Sequence, residues 1–224
     1  MIPWIRLDAV TLDDGVELRL MQRGSEFSIM LGSNELMNSR LSGSEEALAD
    51  LAAAKLEGRA QPSLLIGGLG MGFTLRAALK ALDQSARITV AELVPAVIEW
   101  AHGPMAPVLG DCLADPRVSL HEGDVGALIR ADRGVWDAIL LDVDNGPDGL
   151  TRQGNDALYS AQGLASAYLA LKPGGVFSVW SSAPDAAFTR RLKQAGFTVT
   201  EVPTRARTKK RGARHMIWVA VRPG

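Results

Sequence analysis

Short runs of alternating apolar and polar residues dominate the first 60 positions of the chain. They cover residues 5–12, 16–22 and 27–31, and are separated by Asp-Asp-Gly and Arg-Gly-Ser segments. Because such segments are typical of tight hairpin turns, we predict a small antiparallel sheet. An Ala/Leu-rich stretch up to residue 57 then predicts a helix, with Ser44 as its N-cap and Glu45 and Glu46 favourable near its start.

From residue 63 onward, strand-like and helix-like patterns alternate. The predicted strands are 64–66, 88–91, 118–121, 138–141 and 176–180, and the predicted helices are 73–82, 96–102, 125–131, 161–171 and 186–195. This alternation predicts a doubly wound, mainly parallel sheet with helices on both faces. Two last strand-like runs, 198–202 and 216–221, predict a closing antiparallel hairpin. We therefore divide the chain into an N-terminal β segment with a linking helix, 1–60, and a Rossmann-like α/β domain, 61–224.

Composition narrows the functional classes. The 224 residues include 24 basic and 25 acidic side chains, a net charge of -1 that implies no general polyanion-binding surface. A single cysteine, Cys112, excludes an internal disulfide, and three widely spaced histidines predict no metal site. We see neither a leader-like segment nor an apolar run long enough to cross a bilayer, so we expect a cytoplasmic protein without a membrane partner.

A glycine-rich turn follows the first strand of the α/β region, in the sequence LLIGGLGMGFTL. Its glycines would let the backbone turn tightly and let a nucleotide-like cofactor approach closely, at the start of the next helix. The turn lacks the Gly-Lys-Ser/Thr of a phosphate-binding loop, and its G-x-G-x-G spacing suits S-adenosylmethionine better than a dinucleotide. The predicted cofactor-binding glycines are Gly67, Gly68, Gly70 and Gly72.

Acidic residues follow the next three strands. Glu92, 20 residues beyond Gly72, could accept hydrogen bonds from both ribose hydroxyls of an adenosine. Asp124 could accept one from the adenine amino group, or cap the helix that it opens. Asp142 ends the fourth strand at the edge where ligands bind, so we expect it to face the reacting centre.

The segment after Asp142 offers candidate contacts for a substrate. Asp144 and Asp148 make an acidic loop suited to a cationic acceptor or an amine nucleophile. Tyr159 is either a substrate contact or a core aromatic. Farther on, six basic residues within 205–214 leave nucleic-acid binding open, although a solvated hairpin tip is the commoner explanation.

Together these residues resemble the spermidine (polyamine) synthase-like branch of the class I S-adenosylmethionine-dependent methyltransferase superfamily. The resemblance covers the N-terminal β segment, the helix near Glu46, the glycine turn, the strand-end acids and the run ALKPGGVFSVWS. It implies that Asp142 assists deprotonation of the acceptor and that Asn145 occupies a diamine-binding position. By family analogy the N-terminal sheet is a possible homodimer surface.

Three features of the family are altered. Gly70 and Met71 stand where the family places an aspartate that holds the amine of decarboxylated S-adenosylmethionine. Asn145 replaces the second aspartate of the catalytic loop, and the family's Tyr-His pair is missing from SGSEEALADL. The leading hypothesis is therefore a methyltransferase that uses S-adenosylmethionine on an unidentified acceptor. The alternatives are an aminopropyltransferase that uses decarboxylated S-adenosylmethionine and a noncatalytic nucleoside-binding or scaffold protein.

Overall fold

The computed structural model describes residues 2–143, 157–207 and 211–224. They form two sheets, one of four strands and one of seven. Within these ranges, no helix is both long and apolar enough to cross a membrane.

The four-stranded sheet is built from the N-terminal runs. Its strands pair antiparallel in chain order, β1 (Ile5–Thr11), β2 (Glu17–Arg23), β3 (Glu26–Leu31) and β4 (Asn34–Asn38). The antiparallel sheet predicted from the sequence is confirmed, but β4 was not predicted, because NELMN carries three polar residues in five.

The first helix, α1 (Gly43–Lys55), begins two residues earlier than the sequence suggested. Ser42 occupies the N-cap position, so the prediction that Ser44 caps the helix is wrong. Ser44 instead lies inside the first turn, fully buried, with its hydroxyl directed to other side chains. Its true partners belong to the candidate site described below.

The seven-stranded sheet and its helices follow the predicted alternation. In chain order the elements are β5 (Ser63–Gly67), α2 (Phe73–Ala81), β6 (Arg87–Glu92), α3 (Pro95–His102), α4 (Ala106–Leu109), a 3-10 turn (Cys112–Ala114), β7 (Val118–Glu122), α5 (Val125–Ala131), β8 (Trp136–Leu141), α6 (Ala161–Ala170), β9 (Leu171–Ser181), α7 (Ala186–Gln194), β10 (Thr198–Arg207) and β11 (Arg211–Val221). The strand order is β10-β11-β9-β8-β5-β6-β7, and β11 is the strand that runs antiparallel to its two neighbours, β10 and β9. The predicted doubly wound sheet with a closing antiparallel hairpin is confirmed.

Alternation along the buried strands divides the core between the two faces of this sheet. In β5, Leu64 and Ile66 pack into a core shared with the N-terminal sheet, α1 and α2, whereas Leu65 points to the opposite face. In β11, Ile217 joins the first core and Trp218 the second. Both faces are apolar because helices or the N-terminal sheet cover both, as expected for a mainly parallel sheet.

The strand order reverses between β5 and β8, which lie side by side at the centre of the sheet. The chain leaves β5 toward β6 on one side, and β8 leads to β9 on the other. Just beyond the strands, the Asp142 amide donates a 3.0 Å hydrogen bond to the carbonyl of Gly67. Open α/β sheets bind ligands in the crevice at this kind of reversal, and the largest group of candidate site residues lies there.

Candidate active site

A cavity opens at the carboxyl ends of β5, β6 and β8, beneath the N-terminal sheet. Its polar wall includes Glu45, Glu92, Asp124 and Asp142. The opposite wall is apolar and comes from the N-terminal segment, with the residues Leu12, Leu18, Ile29, Leu31, Leu36 and Met37. The N-terminal sheet thus forms one side of the cavity, a role that its sequence pattern did not indicate.

Two of the four predicted glycines line this cavity, and each has a conformation that favours glycine. Gly68 has φ +90°, and a Cβ there would lie 2.4 Å from the carbonyl oxygen of Asp142. Gly70 has φ +50°, and its Cβ would lie 2.6 Å from Cε of Met37. Side chains are strained at such positive φ values, so the turn keeps its backbone exposed to the cavity.

The other two predicted glycines, Gly67 and Gly72, are absent from the cavity wall. A Cβ at Gly67 would lie 3.0 Å from Val125, and one at Gly72 would lie 3.1 Å from Leu109. Their lack of a side chain allows close packing between the turn and its neighbours rather than close approach of a ligand.

Glu92, at the end of β6, connects the glycine turn to the start of α3. Its Oε2 accepts a 2.9 Å hydrogen bond from the Leu69 amide, and its Oε1 accepts one of the same length from the Val94 amide. Burial raises the pKa of this carboxyl above its ordinary value, whereas the backbone hydrogen bonds act to lower it. A carboxylate oxygen can accept more than one hydrogen bond, so Glu92 retains the capacity to bind hydroxyl groups in the cavity.

Asp124 caps α5, as one of its two sequence interpretations proposed. Its Oδ1 accepts a 2.8 Å hydrogen bond from the Gly126 amide, and its Oδ2 lies 3.0 Å from the Arg130 guanidinium. The side chain also lines the cavity, on the same side as Glu92. Capping therefore leaves Asp124 available to a ligand, since the two roles are compatible.

Asp142 and Glu45 form an acidic pair in the cavity wall. Thr74 donates a 2.6 Å hydrogen bond to Oδ2 of Asp142, and the same hydroxyl lies 3.3 Å from the Glu45 carbonyl oxygen. Burial, together with the charge of Glu45, raises the pKa of Asp142 to about 7. Burial likewise raises the pKa of Glu45. The pair is thus set to exchange a proton near neutral pH or to neutralise a bound cation.

Two further side chains surround Glu45. The Ser44 hydroxyl donates a 2.7 Å hydrogen bond to Oε2 of Glu45, and Nδ1 of His215 lies 2.8 Å from the Ser44 oxygen. The His215 ring meets Trp180 edge-on, with 4.7 Å between ring centroids. Trp180 lines the cavity, and its buried Nε1 has no hydrogen-bond partner within the described ranges.

The remaining predicted substrate contacts are not brought to this wall. Tyr159 is buried in the second core, with its ring in edge-to-face contact with Phe188 at 5.5 Å, and it does not line the cavity. The structure thus places it as a core aromatic, one of its two sequence interpretations. Asp144, Asn145 and Asp148 lie outside the described residues, as do positions 208–210 of the basic segment.

Sequence reasoning missed the site roles of Glu45, Thr74, Trp180 and Met37. Glu45 was interpreted only as an acid near a helix start, and the tryptophans only as packing residues. One signal was available for Trp180, which lies at the carboxyl end of β9, the same kind of position that singled out Asp142. No spacing rule could predict that His215 connects to Glu45, because the connection depends on a contact between Ser44 and His215, which are 171 residues apart in the sequence.

Comparison with known proteins agrees with this arrangement. No protein-family model matches the chain. Over 173 residues it is 32% identical to a polyamine aminopropyltransferase from Corynebacterium efficiens, an alignment that covers 75% of this chain and 31% of that protein. The chain therefore spans about a third of the length of this curated relative.

Solved structures match more of the fold. A spermidine synthase in complex with the transition-state analogue AdoDATO and the spermidine synthase from Thermotoga maritima each superpose with a TM-score of 0.76 at 20% identity, covering 96% of this chain and 72% of theirs. A probable spermidine synthase from Corynebacterium glutamicum gives a TM-score of 0.65 at 13% identity, covering 97% and 79%.

The sheet order, the closing hairpin and the crevice at the β5–β8 reversal define a class I methyltransferase-like, Rossmann-type fold. With the N-terminal antiparallel sheet, the architecture is the spermidine synthase-like form of that fold. The family resemblance inferred from the sequence is confirmed at this level.

Proposed function

We propose that the chain is an aminopropyltransferase-type enzyme that takes decarboxylated S-adenosylmethionine as donor and an amine as acceptor. One observation carries the proposal: the charged side chains among the described residues of the cavity wall are all acids, Glu45, Glu92, Asp124 and Asp142. The matched aminopropyltransferase supports the same ranking. The methyltransferase hypothesis favoured by the sequence becomes the second candidate.

The charge of the wall discriminates between the two donors. S-adenosylmethionine carries a carboxylate, which would enter a cavity where no basic side chain among the described wall residues could pair with it. The decarboxylated donor has only positive groups, a sulfonium and an ammonium. Since like charges repel more strongly where water is scarce, this wall favours the decarboxylated donor and a cationic acceptor.

The residues of the glycine turn and the strand ends fit an adenosine group. Glu92 is buried in the wall with both oxygens fixed by backbone amides, and these oxygens can accept ribose hydroxyls. Asp124 would accept from the adenine amino group. Gly68 and Gly70 let the turn pack closely against Asp142 and Met37, and both line the cavity, where the donor could lie against their backbone.

When bound, the donor supplies a carbon activated by positively charged sulfur. Glu45 and the Trp180 face would hold the acceptor ammonium by charge and by cation–π contact. Asp142 would take a proton from the acceptor nitrogen, whose lone pair then forms the new N–C bond while the C–S bond breaks and sulfur keeps the electron pair. Positioning and exclusion of water supply the rest of the acceleration.

Methyl transfer remains the second candidate because of Gly70 and Met71. Met37 packs against Gly70, where the resemblance would place an aspartate for the donor's amine. The end of the donor that differs between the two reactions would therefore meet a thioether rather than a carboxylate. A full-length S-adenosylmethionine could use backbone amides of the turn for its carboxylate.

Calorimetry with three nucleosides tests the donor choice. We expect the decarboxylated donor and methylthioadenosine to bind at least tenfold more tightly than S-adenosylmethionine, because only the last brings a carboxylate. Tighter binding of S-adenosylmethionine would reverse the ranking. Tight nucleoside binding without transfer to any amine supplied would support the noncatalytic alternative.

A further inference from the structure

Two hydrogen bonds in series connect Glu45, which lies near the start of the sequence, to His215, which lies near its end. His215 on β11 contacts Ser44, and Ser44 contacts Glu45. Ser44 and Glu45 lie in the first turn of α1, and His215 lies in the closing hairpin, which is far from α1 in the sequence. Ser42 occupies the N-cap position of α1, so the Ser44 hydroxyl is not a capping group.

The direction of the chain follows from counting protons. A serine hydroxyl has one proton, and Ser44 donates it to Oε2 of Glu45 over 2.7 Å. The Ser44 oxygen must then accept from His215, so Nδ1 of His215 carries its proton over the 2.8 Å contact. Burial lowers the pKa of His215, which favours the neutral ring with this single N–H.

We infer that Ser44 and His215 are positioning residues that fix the orientation of the Glu45 carboxylate and hold it in its ionised form. A hydrogen bond donated to a carboxylate favours the charged state. Glu45 needs this support because burial and the charge of Glu46 both raise its pKa. The charge of Glu45 in turn raises the pKa of Asp142, which lines the same cavity. These hydrogen bonds thereby give the two acids different roles. Glu45 stays ionised and binds the acceptor cation, and Asp142 takes the proton.

Trp180 adds a second reason to place His215 in this role. The His215 ring supports the edge of Trp180 at 4.7 Å between centroids, and Trp180 and Glu45 both line the cavity. One histidine therefore touches both groups that would contact an acceptor cation, Trp180 directly and Glu45 through Ser44. The expected effect on turnover rests on the proposed function, whereas the effect on the ionisation of Glu45 does not.

The test separates the hydrogen bond from the shape of the ring. His215→Phe keeps an aromatic ring against Trp180 and removes Nδ1, whereas His215→Asn places an amide N–H near the position of Nδ1. Ser44→Ala removes the middle of the chain. Ser178→Ala is the matched control, because Ser178 is also fully buried but its hydroxyl has no hydrogen-bond partner within the described part of the protein.

The first readout is independent of activity. Carbon-13 NMR of labelled glutamate side chains, with the Glu45 signal assigned by Glu45→Gln, should show the Glu45 pKa rising by about one unit in Ser44→Ala and His215→Phe, as loss of one hydrogen bond predicts. His215→Asn should restore most of the shift, and Ser178→Ala should cause none. An unchanged Glu45 titration in Ser44→Ala and His215→Phe would overturn the inference.

The second readout is steady-state transfer to a diamine. We expect KM for the amine to rise about tenfold in Ser44→Ala and in His215→Phe, with donor affinity unchanged, and the double variant to be no worse than the poorer single variant. If the increase in KM in the double variant equalled the product of the two single increases, His215 would not act on Glu45 through Ser44. If no variant, including the wild type, transfers to any amine while the Glu45 shift is present, the proposed function fails and the positioning of Glu45 stands.

Discussion

Thr74, in the first turn of α2, donates a 2.6 Å hydrogen bond to Oδ2 of Asp142 at the end of β8. The contact joins the helix that follows the glycine turn to the acid expected at the reacting centre. It fixes one carboxylate oxygen and leaves the other available to the cavity that Asp142 lines. Because Thr74 is 3% exposed, water does not compete effectively for this bond.

Replacing Asp142 with asparagine should separate transfer from donor binding. The amide oxygen can still accept from Thr74, but the side chain can no longer take a proton. We expect turnover to fall by about 10²–10⁴-fold, the usual contribution of a general base, with the donor dissociation constant changed by less than about threefold. Stopped-time product assays and calorimetry measure the two quantities. Turnover equal to that of the wild type would exclude a proton-transfer role for Asp142.

The same substitution should change how stability depends on pH. The carboxyl titrates near 3.8 when unfolded and at about 7 when folded, so the folded state binds more protons between these values. The wild-type free energy of unfolding therefore falls as pH rises through this window. Asparagine has no charge, so Asp142→Asn should gain roughly 1–3 kcal/mol more over the wild type at about pH 8 than at about pH 5.

Urea unfolding at the two pH values measures that difference. Glu45 is present in both proteins, so the comparison reports the titration of Asp142 together with its coupling to Glu45. A stability difference independent of pH would mean that Asp142 is not an unusually weak acid in the folded protein.

Glu92→Gln should weaken donor binding more than its small change of shape suggests. Each carboxylate oxygen accepts a backbone amide, and a glutamine would turn its own NH₂ group toward one of these donors. We expect a loss of about 1.5–3 kcal/mol in donor affinity by calorimetry, the range for a lost charged hydrogen bond. Glu122→Gln is the control, since Glu122 pairs with Glu92 in the adjacent strand but does not line the cavity. Equal effects of both substitutions would remove Glu92 from the donor site.

Gly70→Ala tests the contact between the glycine turn and the N-terminal sheet. The new methyl group would lie 2.6 Å from Cε of Met37. The alanine backbone would also have to adopt the left-handed conformation at φ +50°, which costs roughly 1–2 kcal/mol. We expect lower thermal stability and weaker donor binding. Adding Met37→Ala should recover the part caused by overlap and leave the backbone part. No recovery in the double variant would show that Met37 yields freely.

The sequence predicted those parts of the fold that depend on local pattern. Buried strands such as β8 contain a continuous apolar run, here residues 138–141, and the helices between strands follow from their periodicity. The polar strand β4 and the four-residue helix α4 were not predicted, because β4 lacks an apolar pattern and α4 is too short to show a helical period. Ser44 shows the same limit at the site, since a shift of the helix start turned an expected cap into a partner of His215.

The candidate site divides in the same way. Glu92, Asp124 and Asp142 could be placed in one crevice because parallel strands end at one edge of a sheet. Glu45 and Trp180 join them only through packing of α1 and β9 over the cavity. In the sequence, Gly70 and Met71 at the position of the family's aspartate favoured methyl transfer. The acidic cavity wall, which is formed by residues distant in sequence, favours a decarboxylated donor instead.

A single competition assay tests the central claim most directly. The protein is given equal concentrations of S-adenosylmethionine and its decarboxylated form together with a diamine, and the products are separated and weighed by mass spectrometry, with Asp142→Asn as the control. We predict a diamine that has gained one aminopropyl group, methylthioadenosine in equal amount, and at least about 100-fold less of both products from the control. A diamine that has gained a methyl group, accompanied by S-adenosylhomocysteine, would contradict the account.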